Sequence, residues 1–151
     1  MFIRTHLALG LAAALYFLPH IAQNKFVFLF VVLLSSILPD LENGFVFVKR
    51  KKLFSLRKNM FSNKNWILHT YTFLIPTSIA LTFFYPALAF PFFLGYSFHL
   101  FIDSFSPEGI RPFWPLKNKA AGKLAQGGKI DSMLFYILLI ANLFFLVRFL
   151  A

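Results

Sequence analysis

Between Asn65 and Ile102 the chain carries no aspartate, glutamate, lysine or arginine. A run of that length is close to twice the roughly 20 apolar residues that one helix needs to cross a bilayer. It therefore predicts two helices joined by a tight turn near Tyr85 and Pro86. Three further apolar runs complete the pattern. One extends from about Leu7 to Ile21, after Arg4, and a second from Phe26 to Leu38, where Pro39 and the acidic pair Asp40 and Glu42 should stop it. The last, Met133 to Leu150, follows the turn-prone Gly127 and Gly128, with Asp131 expected as its N-cap.

These runs predict an all-α integral membrane protein, a bundle of about five (four to five) transmembrane helices forming a single membrane-embedded domain over residues 1–151. Composition agrees, with 59% of residues hydrophobic and only 13% charged, whereas soluble domains carry about a quarter charged residues. No small-residue cleavage motif follows residues 18–22, so the first run is expected to be a retained helix and not a signal peptide.

Charge orients the bundle. Residues 49 to 64 hold Lys49, Arg50, Lys51, Lys52, Arg57, Lys58 and Lys64, and residues 111 to 129 hold Arg111, Lys117, Lys119, Lys123 and Lys129. Both basic loops should be cytoplasmic, which places the N-terminus inside and the C-terminus outside a cytoplasmic (inner) membrane. In so apolar a chain a net charge of +10 is explained by contact with anionic headgroups, so the expected partners are membrane lipids and not nucleic acid.

The same topology gathers the ionisable residues. His6 starts the first helix, Asp40 and Glu42 end the second, His69 begins the third, and His99 and Asp103 close the fourth, all at one depth on one face. His99 and Asp103 stand i, i+4, which stacks both side chains on one helix face within reach of a shared cation. A buried aspartate near lipid persists with a partner, in a wet cavity or near an interface. The chain has no cysteine, so a metal would be held by nitrogen and oxygen alone. His6, Asp40, Glu42, His69, His99 and Asp103 are the expected ligands of a divalent ion, zinc first, with manganese or iron as alternatives, and one to three ions in number.

An open coordination position would acidify a bound water toward a pKa of ~7, with Glu42 or Glu108 as the base that takes its proton. The segment Ser104 to Lys119, with Pro107, Gly109, Pro112 and Pro115, should be an irregular interfacial loop over the site. Within it Arg111 and Lys117 are candidates for binding a phosphate, beside their simpler role as inside-positive loop charge. His20 falls at the opposite helix end and is expected to be interfacial.

Several motifs resemble the YdjM-like family of membrane-bound metal-dependent hydrolases: Thr5-His6, the run Ile37-Leu38-Pro39-Asp40-Leu41-Glu42, His69-Thr70, and Gly95-Tyr96-Ser97-Phe98-His99-Leu100-Phe101-Ile102-Asp103 continuing through Pro107-Glu108-Gly109 to Trp114-Pro115. The likeness spans most of the chain. Glu42 stands where the family usually has aspartate, and Lys64, Asn65 and Leu68 stand where it commonly has a His-Arg pair. The ligand order is also similar to that of the zinc-dependent phospholipase C and P1 nuclease group, which implies hydrolysis of a phosphoester, with a lipid headgroup as the convenient substrate. The alternatives are a non-catalytic membrane protein with a structural metal site or a docking role for a cytoplasmic partner, and an ion transporter. The outer halves of the helices offer transport only a thin polar trail: His20, Thr72, Thr77, Ser78 and Thr82.

Overall fold

The computed structural model describes residues 3–22, 24–50, 68–124 and 127–150, the side chains of 41–50 and 150 excepted. The described residues form α1 (Ile3–Phe17), a short 3-10 turn (Leu18–His20), α2 (Lys25–Arg50), α3 (Tyr71–Phe84), α4 (Pro86–Ser104) and α5 (Lys129–Leu150). No strand occurs among them, and the one isolated bridge joins Ile110 to Ala120. The all-helical expectation holds.

The expectation of five full spans holds in part. Two helices, Pro86–Ser104 and Lys129–Phe149, are long and apolar enough to cross a membrane, and Tyr71–Phe84 is a shorter apolar helix. For α1 and α3 the shortfall is one of length. At 1.5 Å per residue, the 14 residues of α3 and 15 of α1 reach about 21–23 Å, against a hydrocarbon core of about 30 Å.

Several boundaries differ from expectation for identifiable reasons. Pro19 tightens the chain into the 3-10 turn, so α1 ends at Phe17 and not at Ile21. Tyr85 and Pro86 make the α3–α4 reversal as expected, with proline in the first turn of α4. Pro39, however, does not stop α2, which continues through it to Arg50. In a buried helix, carbonyls that lose a donor near a proline are satisfied by neighbouring groups. Here Pro39 has no N–H to offer Ser35 O, and the next carbonyl, Ser36 O, accepts from His99 of α4 at 2.8 Å. Asp131 lies inside the first turn of α5 and not at its N-cap. From there its Oδ2 accepts the Gly127 N–H at 3.0 Å.

Packing centres on α2 and α4, with α1 between α2 and α5, and α3 lying on α4. Small residues set how closely the first two approach. A Cβ on Gly95 would lie 2.2 Å from Ser35 Oγ and 2.3 Å from Val32 O, and one on Gly10 would lie 2.7 Å from Ser36 Oγ. Glycine on α1 and α4 thus meets serine on α2, the small-residue contact by which helices in lipid bring their backbones together. Above this junction Ala14, Leu15, Phe28, Val32 and Leu94 form an apolar cluster. Tyr96, Leu100, Leu74 and Ile110 form another, between α4, α3 and the following loop.

The outside of the bundle is also apolar. Phe26, Phe83 and Phe84 are 85%, 80% and 77% exposed, and α5 presents Met133, Tyr136, Ile140, Leu143 and Phe144 outward. Contiguous exposed apolar surface on this scale belongs against lipid or another hydrophobic partner. The Gly95 contact yields a test: Gly95→Ala should destabilise the protein by about 1–3 kcal/mol, the usual cost of overpacking. The change should be read as a lowered thermal midpoint in detergent. An unchanged midpoint would mean that α2 and α4 are not so close.

Candidate metal centre

One turn along α4 from Gly95, the close α2–α4 approach brings His99 Nδ1 to 2.8 Å from the carbonyl oxygen of Ser36. A carbonyl oxygen only accepts, so Nδ1 carries the proton and Nε2 presents a lone pair. A histidine whose second nitrogen fixes its ring in this way is suited to ligate a metal through Nε2. Asp103 follows on the same helix face, and both residues are 1% exposed.

His69 stands in the turn before α3, and three contacts hold that turn. Thr70 caps α3, its side chain accepting from Phe73 N at 3.1 Å. Tyr71 N donates to Pro112 O at 2.8 Å, which pins the turn to the loop after α4. The Tyr96 hydroxyl donates to Leu68 O, beside His69 itself. His6 enters from the first turns of α1, its ring stacked on that of His99 with centroids 4.1 Å apart. Asp40 comes from α2, just past the proline.

The three Nε2 atoms converge on two carboxylates. His6 approaches Asp103 to 3.4 Å and Asp40 to 3.9 Å. His69 lies 3.7 and 3.9 Å from the same two residues, and His99 3.6 and 3.9 Å. These separations exceed the ~2.7–2.9 Å of a charge-assisted hydrogen bond. Accordingly, none of the three Nε2 atoms has a hydrogen-bond partner, and neither do Nδ1 of His6 and His69, all of them buried.

An unpaired buried polar atom costs about 1–3 kcal/mol, so such a cluster needs something between its members. Atoms bound at ~2.0–2.2 Å to one tetrahedral ion lie about 3.3–3.6 Å apart. The observed separations fall at and slightly above that range. One ligand atom each from Asp40, His69, His99 and Asp103 lies within 4.8 Å of all the others, a group able to hold a metal ion. Two imidazoles and two carboxylates suit a borderline divalent cation. Among the described residues of the group, the Asp40 side chain is 17% exposed, against 2% for Asp103.

The structure does not gather every candidate. The Glu42 side chain lies outside the described residues, as does the basic run from Lys51 to Lys64. Glu108 is exposed in the loop after α4 and is not one of the four grouped side chains. Arg111 is half-buried and Lys117 exposed in the same loop. That loop is irregular as expected, folding back so that Gly122 N meets Ser106 O (3.0 Å) and Leu124 N meets Phe105 O (2.9 Å).

Other parts of the centre were not singled out from sequence. Tyr96 and Ser36 act through tertiary hydrogen bonds that no spacing announces. Asp131 and Thr5, both 0% exposed, pair at 2.8 Å and tie the start of α5 to α1 next to His6. An acidic residue at the head of an apolar run was the available signal, and a capping role absorbed it.

A protein-family model described as YdjM inner membrane protein matches residues 1–150. No curated protein and no solved structure matches the chain.

The Tyr96 contact makes the centre testable without touching a ligand. Tyr96→Phe should keep the fold and weaken Zn(II) binding by about tenfold or more, as loss of an outer support does. Competition with a chromophoric chelator measures this. Equal affinity in variant and wild type would remove Tyr96 from the centre.

Proposed function

The chain belongs to the YdjM inner membrane protein family, and from that premise we propose that it is a membrane-embedded, metal-dependent hydrolase acting on a phosphoester. The observation that carries this reading is the convergence of three buried, unbonded imidazole Nε2 atoms on two carboxylates. In the proposal His69, His99, Asp40 and Asp103 hold the ion, His6 joins them, and zinc is the first candidate, with manganese or iron as alternatives. When bound, the ion would supply Lewis-acid polarisation of a phosphoryl oxygen and a more acidic water.

The protein's own groups do the rest. Ser36 O fixes the His99 tautomer, and the apolar clusters around Tyr96 and Val32 limit water to the Asp40 side. The Asp40 opening admits the phosphoester, Arg111 and Lys117 draw its charge toward the loop, and Glu42 or Glu108 takes the proton. In the proposed orientation five helices span the membrane with the N-terminus and both basic loops cytoplasmic. A lipid headgroup is then the substrate within reach, and anionic lipids are the protein's surroundings. The outward-facing phenylalanines and the apolar surface of α5 support the lipid setting.

The test uses purified protein in detergent, loaded with Zn(II) or Mn(II), and phospholipid monoesters and diesters as substrates. Wild type should release headgroup or phosphate, and Asp103→Asn should lose about two orders of magnitude or more of turnover, since ion and carboxylate together supply several kcal/mol. Metal-loaded wild type that cleaves none of these esters would leave a structural metal site and discard the hydrolase.

A further inference from the structure

The two carboxylates are not shared evenly among the histidines. His69 and His99 both make their closest approaches to the same pair of oxygens, Asp40 Oδ1 (3.9 Å each) and Asp103 Oδ2 (3.7 and 3.6 Å). His6 makes its closest approaches to the other pair, Asp40 Oδ2 at 3.9 Å and Asp103 Oδ1 at 3.4 Å. Both aspartates therefore present one oxygen to each side. His6 also falls outside the four-residue set whose ligand atoms lie within 4.8 Å of one another.

Ring geometry divides the imidazoles in the same way. His69 and His99 meet edge to face, with centroids 5.6 Å apart and planes at 61°, as two ligands converging on one point do. His6 and His99 instead stack, with planes at 22° and centroids 4.1 Å apart. The 4.1 Å offset between these rings is close to the ~3.5–4 Å between the ions of two-metal hydrolytic sites.

We propose that the centre holds two divalent cations bridged by the carboxylates of Asp40 and Asp103. His69 and His99 complete the first position and His6 the second. This rests on the metal-binding reading above and extends it to a second site. Charge alone is balanced by one divalent ion against two carboxylates, so it is the split of oxygens and rings that points to two. The first position has four protein atoms, a closed tetrahedral set, whereas the second has three and needs exogenous oxygen to complete it. The incomplete second position favours an anionic oxygen ligand such as a phosphoester.

The experiment is reconstitution of the purified protein with Mn(II), removal of free ion, metal analysis and electron paramagnetic resonance. Wild type should hold about two Mn(II) per chain with an exchange-coupled signal, and His6→Asn about one with an isolated-ion signal. His69→Asn should lose the closed position. Wild type holding a single uncoupled ion would overturn the second site and leave the metal centre standing. Wild type holding none would overturn both. Two coupled ions retained in His6→Asn would remove His6 from the assignment. If that variant fails to fold, the wild-type stoichiometry and coupling decide alone.

Discussion

Everything at the centre depends on how closely α2 and α4 approach. With hydrogen in place of a side chain at Gly95, the backbone of α4 reaches Val32 and Ser35 of α2. One turn further on, the gap is small enough for His99 Nδ1 to donate to Ser36 O across it. A wider gap would leave that imidazole nitrogen unpaired in an apolar setting, at a cost of about 1–3 kcal/mol. The packing contact, the tautomer and the direction of Nε2 are therefore one event. The Gly-Tyr-Ser-Phe-His segment serves it twice, because Tyr96 of the same turn holds the backbone beside His69.

Most polar groups that position the centre are satisfied, although Ser78 Oγ and Asn142 Oδ1 are buried without a hydrogen-bond partner. Thr70 caps α3, the serines of α2 and α4 bond back to their own helices, and Asp131 takes both a hydroxyl and an amide. Against that background, five buried imidazole nitrogens from three histidines, His6, His69 and His99, lack partners, and three of them face carboxylates. A chain that merely needed to hold helix ends together would do so with direct hydrogen bonds between these groups at shorter range. Their spacing is instead one that fits a group able to hold a metal ion.

Much of this was legible in the sequence because charge is scarce in it. His6, Asp40, His69, His99 and Asp103 stand at the ends of apolar runs, and the fold brings them together. What was not legible depended on tertiary context. Pro39 carries a local stop signal, but α2 packs against α4, where Ser36 O accepts from His99, and the helix continues to Arg50. Asp131 looks like a cap by position, yet its second oxygen is committed to Thr5, 126 residues earlier. Tyr96 stands in the Gly-Tyr-Ser-Phe-His motif, but its hydroxyl's partner in another segment leaves no periodic trace.

The fifth helix contributes none of the gathered histidines and carboxylates, and its place in the fold follows from what it holds. It packs chiefly on α1. At one end Thr5 binds Asp131 and the Arg4 guanidinium lies over Phe135, and further along Asn142 Nδ2 donates to Ala8 O at 2.9 Å. These contacts bracket His6, the one candidate ligand that α1 supplies. The centre is thus assembled from two mechanical units. The α2–α4 contact, with the turn before α3 pinned to it, fixes His69, His99 and both aspartates, while the α1–α5 pair positions His6. In the proposed two-ion arrangement the closed position belongs to the first unit and the open one to their junction, so the alignment of α1 against α4 would govern the ion that meets substrate.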